Sequence, residues 1–348
     1  MTQKRILTSI RHPERHVLSS TTVNTMNAIN TSFSQNISIV HPEYFFITGL
    51  SGIPYSRYYY IFLFCIYFIA VIGNSAVLLL IAVERSLHSP KYIGVFNLAL
   101  ADLGETNAVF PNMMKTFLFD SQYISYNACL ANMFFVFFFI GTQCLTLVVL
   151  AYDRFVAICL PLRYHAIVTN TVMSLFFSAI WACNACQASL TVYFINRLSF
   201  CKSNVIESYF CDHGPVFRLA CNDNSINVFI AKFNTSLFLV APLIIVVLSY
   251  LGIFLALSKI TTWEGRFKAL RTCASHLLVV GLYFLPKICV YIIALTTFLS
   301  ANARIISTSL AYAVPAMLNP IIYVLNTVEI KDLIRKVLKK RSVGCNIT

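Results

Sequence analysis

Asp153 and Arg154 stand side by side in the stretch Leu150-Ala151-Tyr152-Asp153-Arg154-Phe155-Val156-Ala157-Ile158-Cys159, at the end of an apolar run that begins near Leu130. An ionised side chain at membrane depth costs several kcal/mol, about 2.5–3.5 on insertion scales, and survives only with a partner, a water route or a task. An adjacent acid and base offset part of each other's cost while staying close to the water boundary. A pair held this way opens when another contact outweighs it. Its chemistry is that of a switch.

Further polar groups interrupt other apolar runs. Asn74, Asp102, Gln143, Asn319 and Tyr323 each sit in such a run, where hydrocarbon offers no hydrogen-bond partner. Asn74 alone reads most simply as glue between helices. Asp102 and Glu105, three apart, lie on neighbouring parts of one helical face, and two acids in one span point to a polar core between helices. Water can bridge gaps in such a network. Lys287 follows Pro286, a residue that frees a backbone carbonyl and bends a helix. Its bland role is an ion pair with Glu105; its sharper role is to receive an anionic group on a ligand. Cys183 and Cys186 have redox or zinc spacing, but their helix is apolar and no second pair faces them, so they read as packing. Cys129, Cys201, Cys211 and Cys221 fall near one side of the membrane, where an oxidising compartment would pair them in one of three connectivities. Cys211-Asp212-His213 is a weak alternative for a soft metal, and no metal or cofactor is assigned.

These residues must be positioned by spans. Of 348 residues, 58% are hydrophobic and 11% charged, with a mean hydropathy of +0.74. Soluble domains carry about 25% charged residues, so the class is a membrane protein. A span needs roughly 20 mostly apolar residues. Seven runs qualify, near 58–83, 93–116, 126–150, 172–195, 226–257, 272–298 and 305–325. The expected fold is all-α: a seven-transmembrane helix bundle over 57–326, preceded by an extracellular tail (1–56) and followed by a cytoplasmic segment (327–348). The net charge of +13 could suggest nucleic acid. Its placement argues instead for a membrane, because Arg85, Lys91, Arg154, Arg163, Lys259, Arg266, Lys268, Arg271 and the cations of 331–341 gather on one side. That asymmetry predicts an inner C-terminus, an outer N-terminus and cations facing anionic lipid.

The tail shows no apolar core of signal-peptide type. Asn30 and Asn36 fit the glycosylation pattern and are expected to be used, whereas Asn234, inside a span, and Asn346 are expected to be silent. Met26 offers a second start, which would make 1–25 dispensable. Pro90 fits the first position of the second helix. Residues 331–341 read as a short amphipathic C-terminal helix on the inner leaflet, with Ile330, Leu333, Ile334, Val337 and Leu338 on its apolar face. Cys345 is a possible lipidation site.

The run Ala151–Arg163 followed by Tyr164-His165 closely resembles the signature of odorant receptors, within the rhodopsin-like (class A) G-protein-coupled receptors. Leu87–Tyr92, Lys268–Leu277 and Pro315–Tyr323 resemble further blocks of that family, with Arg271 standing where the family has Ser. The resemblance covers roughly 45–340. It implies disulfides Cys129–Cys211 and Cys201–Cys221. It implies a small-molecule odorant in the outer half, near Val136, Phe137, Ile140, Gly141, Phe284 and Lys287, and apolar lining there suits small, largely hydrophobic molecules. It implies a heterotrimeric G protein of the stimulatory or olfactory type at the inner side, near Asp153, Arg154, Tyr250, Lys268, His276 and Tyr323. The expected location is the plasma membrane of sensory cilia. One departure is Gln143, where the family has Glu beside Asp102; the loss of that charge leaves no ion assigned.

Rival classes find less support. An ion-coupled transporter would bring internal repeats and broken paired helices, neither of which is seen. A channel would repeat polar residues along one helix face. Gly-x-Ser-x-Gly and His-Glu-x-x-His are absent, so no hydrolase motif is present and no enzyme is expected. A receptor for a non-odorant small molecule is the nearest alternative.

Overall fold

The computed structural model describes residues 39–118, 121–258, 263–296, 300–326 and 330–331, with some helix side chains (116, 118, 265–266, 268–269, 271–272, 291–296 and 325–326) left aside. Asn30, Asn36, Met26, Cys345, Asn346 and residues 332–341 lie outside the described residues, as does the side chain of Lys268.

Seven long helices follow one another: α1 (Ser56–Val83), α2 (Pro90–Leu118), α3 (Tyr126–Cys159), α4 (Asn170–Asn196), α5 (Ser225–Ser258), α6 (Trp263–Thr296) and α7 (Ala301–Asn326). Six are long and apolar enough to cross a membrane by length and composition. The other, α2, carries Lys91, Asp102, Glu105 and Lys115 along its length. Local signals set the starts: Pro90 opens α2, Ser125 Oγ accepts from Ala128 N–H at the start of α3, and Thr169 Oγ1 accepts from Val172 N–H at the start of α4. The bundle carries apolar side chains on its outer surface as well as in its core. Ile72, Leu79 and Phe254 face outward while Asn74, Asp102, Glu105, Gln143 and Asn319 are buried. That is the arrangement hydrocarbon requires.

Helix α3 is central and packs on α2, α4, α5 and α6; α7 closes the ring against α1, α2 and α6. Gly141 lets α3 approach α4, since a Cβ there would collide with Asn184 Oδ1. In α5, Pro242 cannot donate a backbone N–H to the carbonyl of Phe238. The helix widens to π geometry over Ser236–Val240, and the Cys144 thiol donates to that Phe238 oxygen at 2.8 Å.

Both expected disulfides are formed, Cys129–Cys211 and Cys201–Cys221. Beside them lies a feature the sequence reading did not foresee. Strand β1 (Tyr44–Ile47), in what was expected to be tail, pairs antiparallel with β2 (Tyr123–Ser125) and parallel with β3 (Val205–Ile206). Its side chains alternate, so Phe45 and Ile47 bury into a cluster with Met133, Phe200 and Cys211. This sheet and the two disulfides define the disulfide end of the bundle. The opposite end holds Asp153 and Arg154.

Candidate functional site

A cavity of about 350 Å³ lies toward the disulfide end, between α3, α5, α6 and α7 and under the loop that follows α4. Helical phase decides which expected residues reach it. Phe137, Ile140 and Lys287 line it. Val136 instead packs among Phe110, Met113 and Tyr209, Gly141 faces Asn184 of α4, and Phe284 is buried with Leu98, Leu147 and Val279. Neighbouring helix positions point about 100° apart, so Tyr283 faces the cavity where Phe284 was expected. The cavity is more polar than the sequence reading anticipated: Asp212, Asn234, Arg304, Thr308 and Tyr312 also contribute to it. Asn234 sits in the bundle, bonded to Gln187 and Thr191, which fits its expected silence as a glycosylation acceptor.

Lys287 makes no ion pair with Glu105; among the described residues the one ion pair is Arg154–Asp153. Its ammonium donates to the Ala311 carbonyl at 3.3 Å and lies 3.6 Å from the centroid of the Tyr283 ring, with Tyr312 at 5.2 Å. The ring face attracts the cation without neutralising it. Glu105 acts on it only through space. On the loop, the N–H groups of His213 and Gly214 lie near the Asp212 carboxylate without closing a capping hydrogen bond. Burial raises the Asp212 carboxyl above its ordinary range, with Arg304 drawing it back. His213 is pushed down to about 4 by burial, partly opposed by its contact with Asn227 Oδ1 at 3.3 Å. It is neutral at physiological pH.

Beneath the cavity the polar residues form separate links rather than one spine. Asn74 donates to the Ala316 carbonyl at 2.8 Å, tying α1 to α7. Asn319 donates to Asp102 Oδ2 at 2.8 Å, tying α7 to α2. Gln143 was expected beside Asp102, but it donates to Glu105 Oε2 at 2.5 Å. Glu105 thus supplies the carboxylate that position 143 lacks. Glu105 Oε1, Asn319 Oδ1, Thr146 Oγ1 and Tyr323 Oη are buried without a protein hydrogen bond. Tyr323 therefore does not join the network by direct contact.

At the far end, Arg154 Nη2 meets Asp153 Oδ2 at 2.8 Å, with the Asp153 side chain fully buried. Tyr164, which belongs to the signature run but was given no role in the sequence reading, donates to Asp153 Oδ1 at 2.8 Å. Burial and the neighbouring Asp153 charge raise the Tyr164 hydroxyl above its usual range, so it stays a donor. Tyr250 and His276 Nδ1 are joined at 2.6 Å with their rings stacked, linking α5 to α6. Arg154 acts electrostatically on both. Asp153, Arg154, Tyr250 and His276 are brought together here. The sequence pointed to the first two by their depth; Tyr164 follows eleven residues after Asp153, in the turn that returns the chain to α3.

Residues 63–341 match the family model described as olfactory receptor. Human olfactory receptor 5B12 is 35% identical over 304 residues, covering 86% of this chain and 96% of the relative. Gorilla (Gorilla gorilla gorilla) olfactory receptor 1G1 is 39% identical over 285 residues, covering 81% and 90%. Among solved structures, squid rhodopsin superposes with a TM-score of 0.68 at 18% identity, covering 85% of this chain and 89% of rhodopsin. That likeness establishes the seven-helix architecture; the sequence matches establish the lineage. A multi-pass membrane chain, matched along most of its length to signalling receptors rather than to enzymes, belongs to the olfactory receptor family.

Proposed function

We propose that the disulfide end faces outward and binds a small, water-soluble odorant carrying an anionic group, and that the ion-pair end faces the cytosol and admits a stimulatory, olfactory-type G protein that raises cyclic AMP. The receptor would stand in the plasma membrane of sensory cilia, with its N-terminal tail outside and glycosylated at Asn30 and Asn36. The observation that carries the ligand reading is Lys287: an ammonium on a cavity wall, held by a carbonyl and a ring face, with no ion-paired carboxylate among the described residues. A ligand carboxylate would supply the charge-assisted hydrogen bond it lacks.

The switch follows from the other end. Ligand contacts with α3, α6 and α7 favour an arrangement in which the base of α6 moves outward, the Tyr250–His276 bond breaks and Arg154 leaves Asp153. A G-protein helix then fills the opening beside Arg154, Tyr250, Tyr323 and the Lys268–His276 segment. Moving the equilibrium from 1:99 to 99:1 takes about 5.5 kcal/mol of differential ligand affinity. The test is a cyclic-AMP panel of carboxylic acids, aldehydes and alcohols on wild type and Lys287→Met, with surface staining. Acids should activate wild type, and the variant should lose acid responses while reaching the surface. Unchanged acid responses in Lys287→Met would refute the reading.

A further inference from the structure

We propose that the cavity at the disulfide end is built for a zwitterion of amino-acid type, whose carboxylate meets Lys287 and whose ammonium meets Asp212. The proposal rests on the reading of Lys287 given above and extends it to the second pole. Three charged side chains line the cavity: Lys287 from α6, Arg304 from α7 and Asp212 from the loop above. None has an ion-pair partner, since the one such pair among the described residues lies at the opposite end of the bundle. Lys287 and Arg304 spend hydrogen bonds on neutral acceptors, the carbonyls of Ala311 and Glu207. Partly buried charges without ionic partners carry a desolvation cost that a partner from elsewhere can offset.

The charge balance selects the class of partner. Two cations line the cavity against one anion; Glu105 and Asp102 act on Lys287 from beneath and Arg218 acts on Asp212 from the loop, which brings the sum to zero. A molecule of no net charge but separated poles enters without disturbing that balance. A plain carboxylate leaves an excess of negative charge beside Asp212, and a plain amine an excess of positive charge beside Lys287. Burial already makes the ionised Asp212 carboxyl unfavourable, an effect Arg304 only partly relieves, and a ligand ammonium would relieve it further. Asp212 is also firmly placed, because its neighbour Cys211 is bonded to Cys129 at the start of α3. The rings of Phe137, Tyr283 and Tyr312 provide the apolar walls for the carbon chain between the poles.

The experiment compares a series of α- and ω-amino acids with the alkanoic acids and alkylamines of matched chain length. Two readouts are used: thermal stabilisation of the purified receptor and cyclic AMP in cells. In wild type, at least one zwitterion should act at a concentration lower than its matched acid by about tenfold or more, the value of one hydrogen bond to a charged group. Asp212→Asn should erase that advantage and strengthen the response to the acid, Asp212→Glu should restore the preference, and Lys287→Met should remove both responses. The zwitterion proposal is overturned, with the acid reading left standing, if acids equal or surpass every zwitterion in wild type or if Asp212→Asn retains the preference. Should Asp212→Asn fail to reach the surface, the wild-type ligand series decides alone. If Lys287→Met keeps its acid response, or if neither acids nor zwitterions act on wild type, both readings fall.

Discussion

The two ends of the bundle are held in different ways. At the disulfide end, Cys129–Cys211 and Cys201–Cys221 join a three-stranded sheet and a cluster that buries Phe45, Ile47 and Phe200. At the ion-pair end the prominent ties are single polar contacts: Arg154 to Asp153, Tyr164 to Asp153 and Tyr250 to His276. A removed disulfide costs about 2–5 kcal/mol, whereas one hydrogen bond to a charged group contributes about 1.5–3. The first end is therefore fixed enough to hold a cavity of constant shape. The second is held by contacts that one ligand's binding energy can reverse. The contrast supports the proposed division, with recognition at one end and movement at the other.

The largest expected effect lies at the movable end. Arg154→Ala should reduce ligand-evoked cyclic AMP to background at normal surface density, while Asp153→Asn should raise the unstimulated level. Normal output from both would abolish the contrast. Next comes Cys129→Ser, which should cost about 2–5 kcal/mol and show as lost surface staining and a lower unfolding temperature. A receptor that tolerates this change would have a recognition end no firmer than the other. Tyr164→Phe removes one of the two side-chain partners that Asp153 has among the described residues, and basal signalling should rise by about tenfold or more, less than for Asp153→Asn. No rise would place the restraint on Asp153 in Arg154 alone.

The smallest effect sharpens the comparison through pH. His213 is held down to about 4 in the folded protein, against an ordinary 6.5. Below 6.5 the unfolded chain takes up a proton that the folded chain refuses, so the stability His213 contributes at neutral pH is lost as pH falls toward about 4. Amide exchange in the loop after α4 should quicken over that window, and His213→Gln should flatten the dependence.

Much of this was legible in the sequence, for stated reasons. Span length follows from bilayer thickness, so most ends of the seven helices could be placed to within a few residues, although α3 runs on to Cys159 and α6 starts at Trp263, each nine residues beyond its apolar run (159 − 150 and 272 − 263); buried Asn74, Asp102 and Gln143 announced themselves by being polar where hydrocarbon is expected. Partners were harder to read. Gln143 bonds Glu105 rather than Asp102, because a contact between helices depends on their rotation. The same uncertainty of rotation brought Tyr283, and not Phe284, to the cavity. Asp212 and Arg304 gave no periodic signal, since one lies on a loop and the other at a helix start. The strand Tyr44–Ile47 is too short to stand out, and its pairing partners are far along the chain.

That strand has a consequence for biosynthesis. Phe46 pairs with Val205, 159 positions later (205 − 46), and α1 to α4 separate the two. During vectorial synthesis β1 emerges from the ribosome before any helix, yet it cannot complete its sheet until four spans have entered the bilayer. The sheet at the disulfide end is thus among the last parts to set, and an interrupted translation product ending in α4 would present β1 without its third strand to the quality-control machinery.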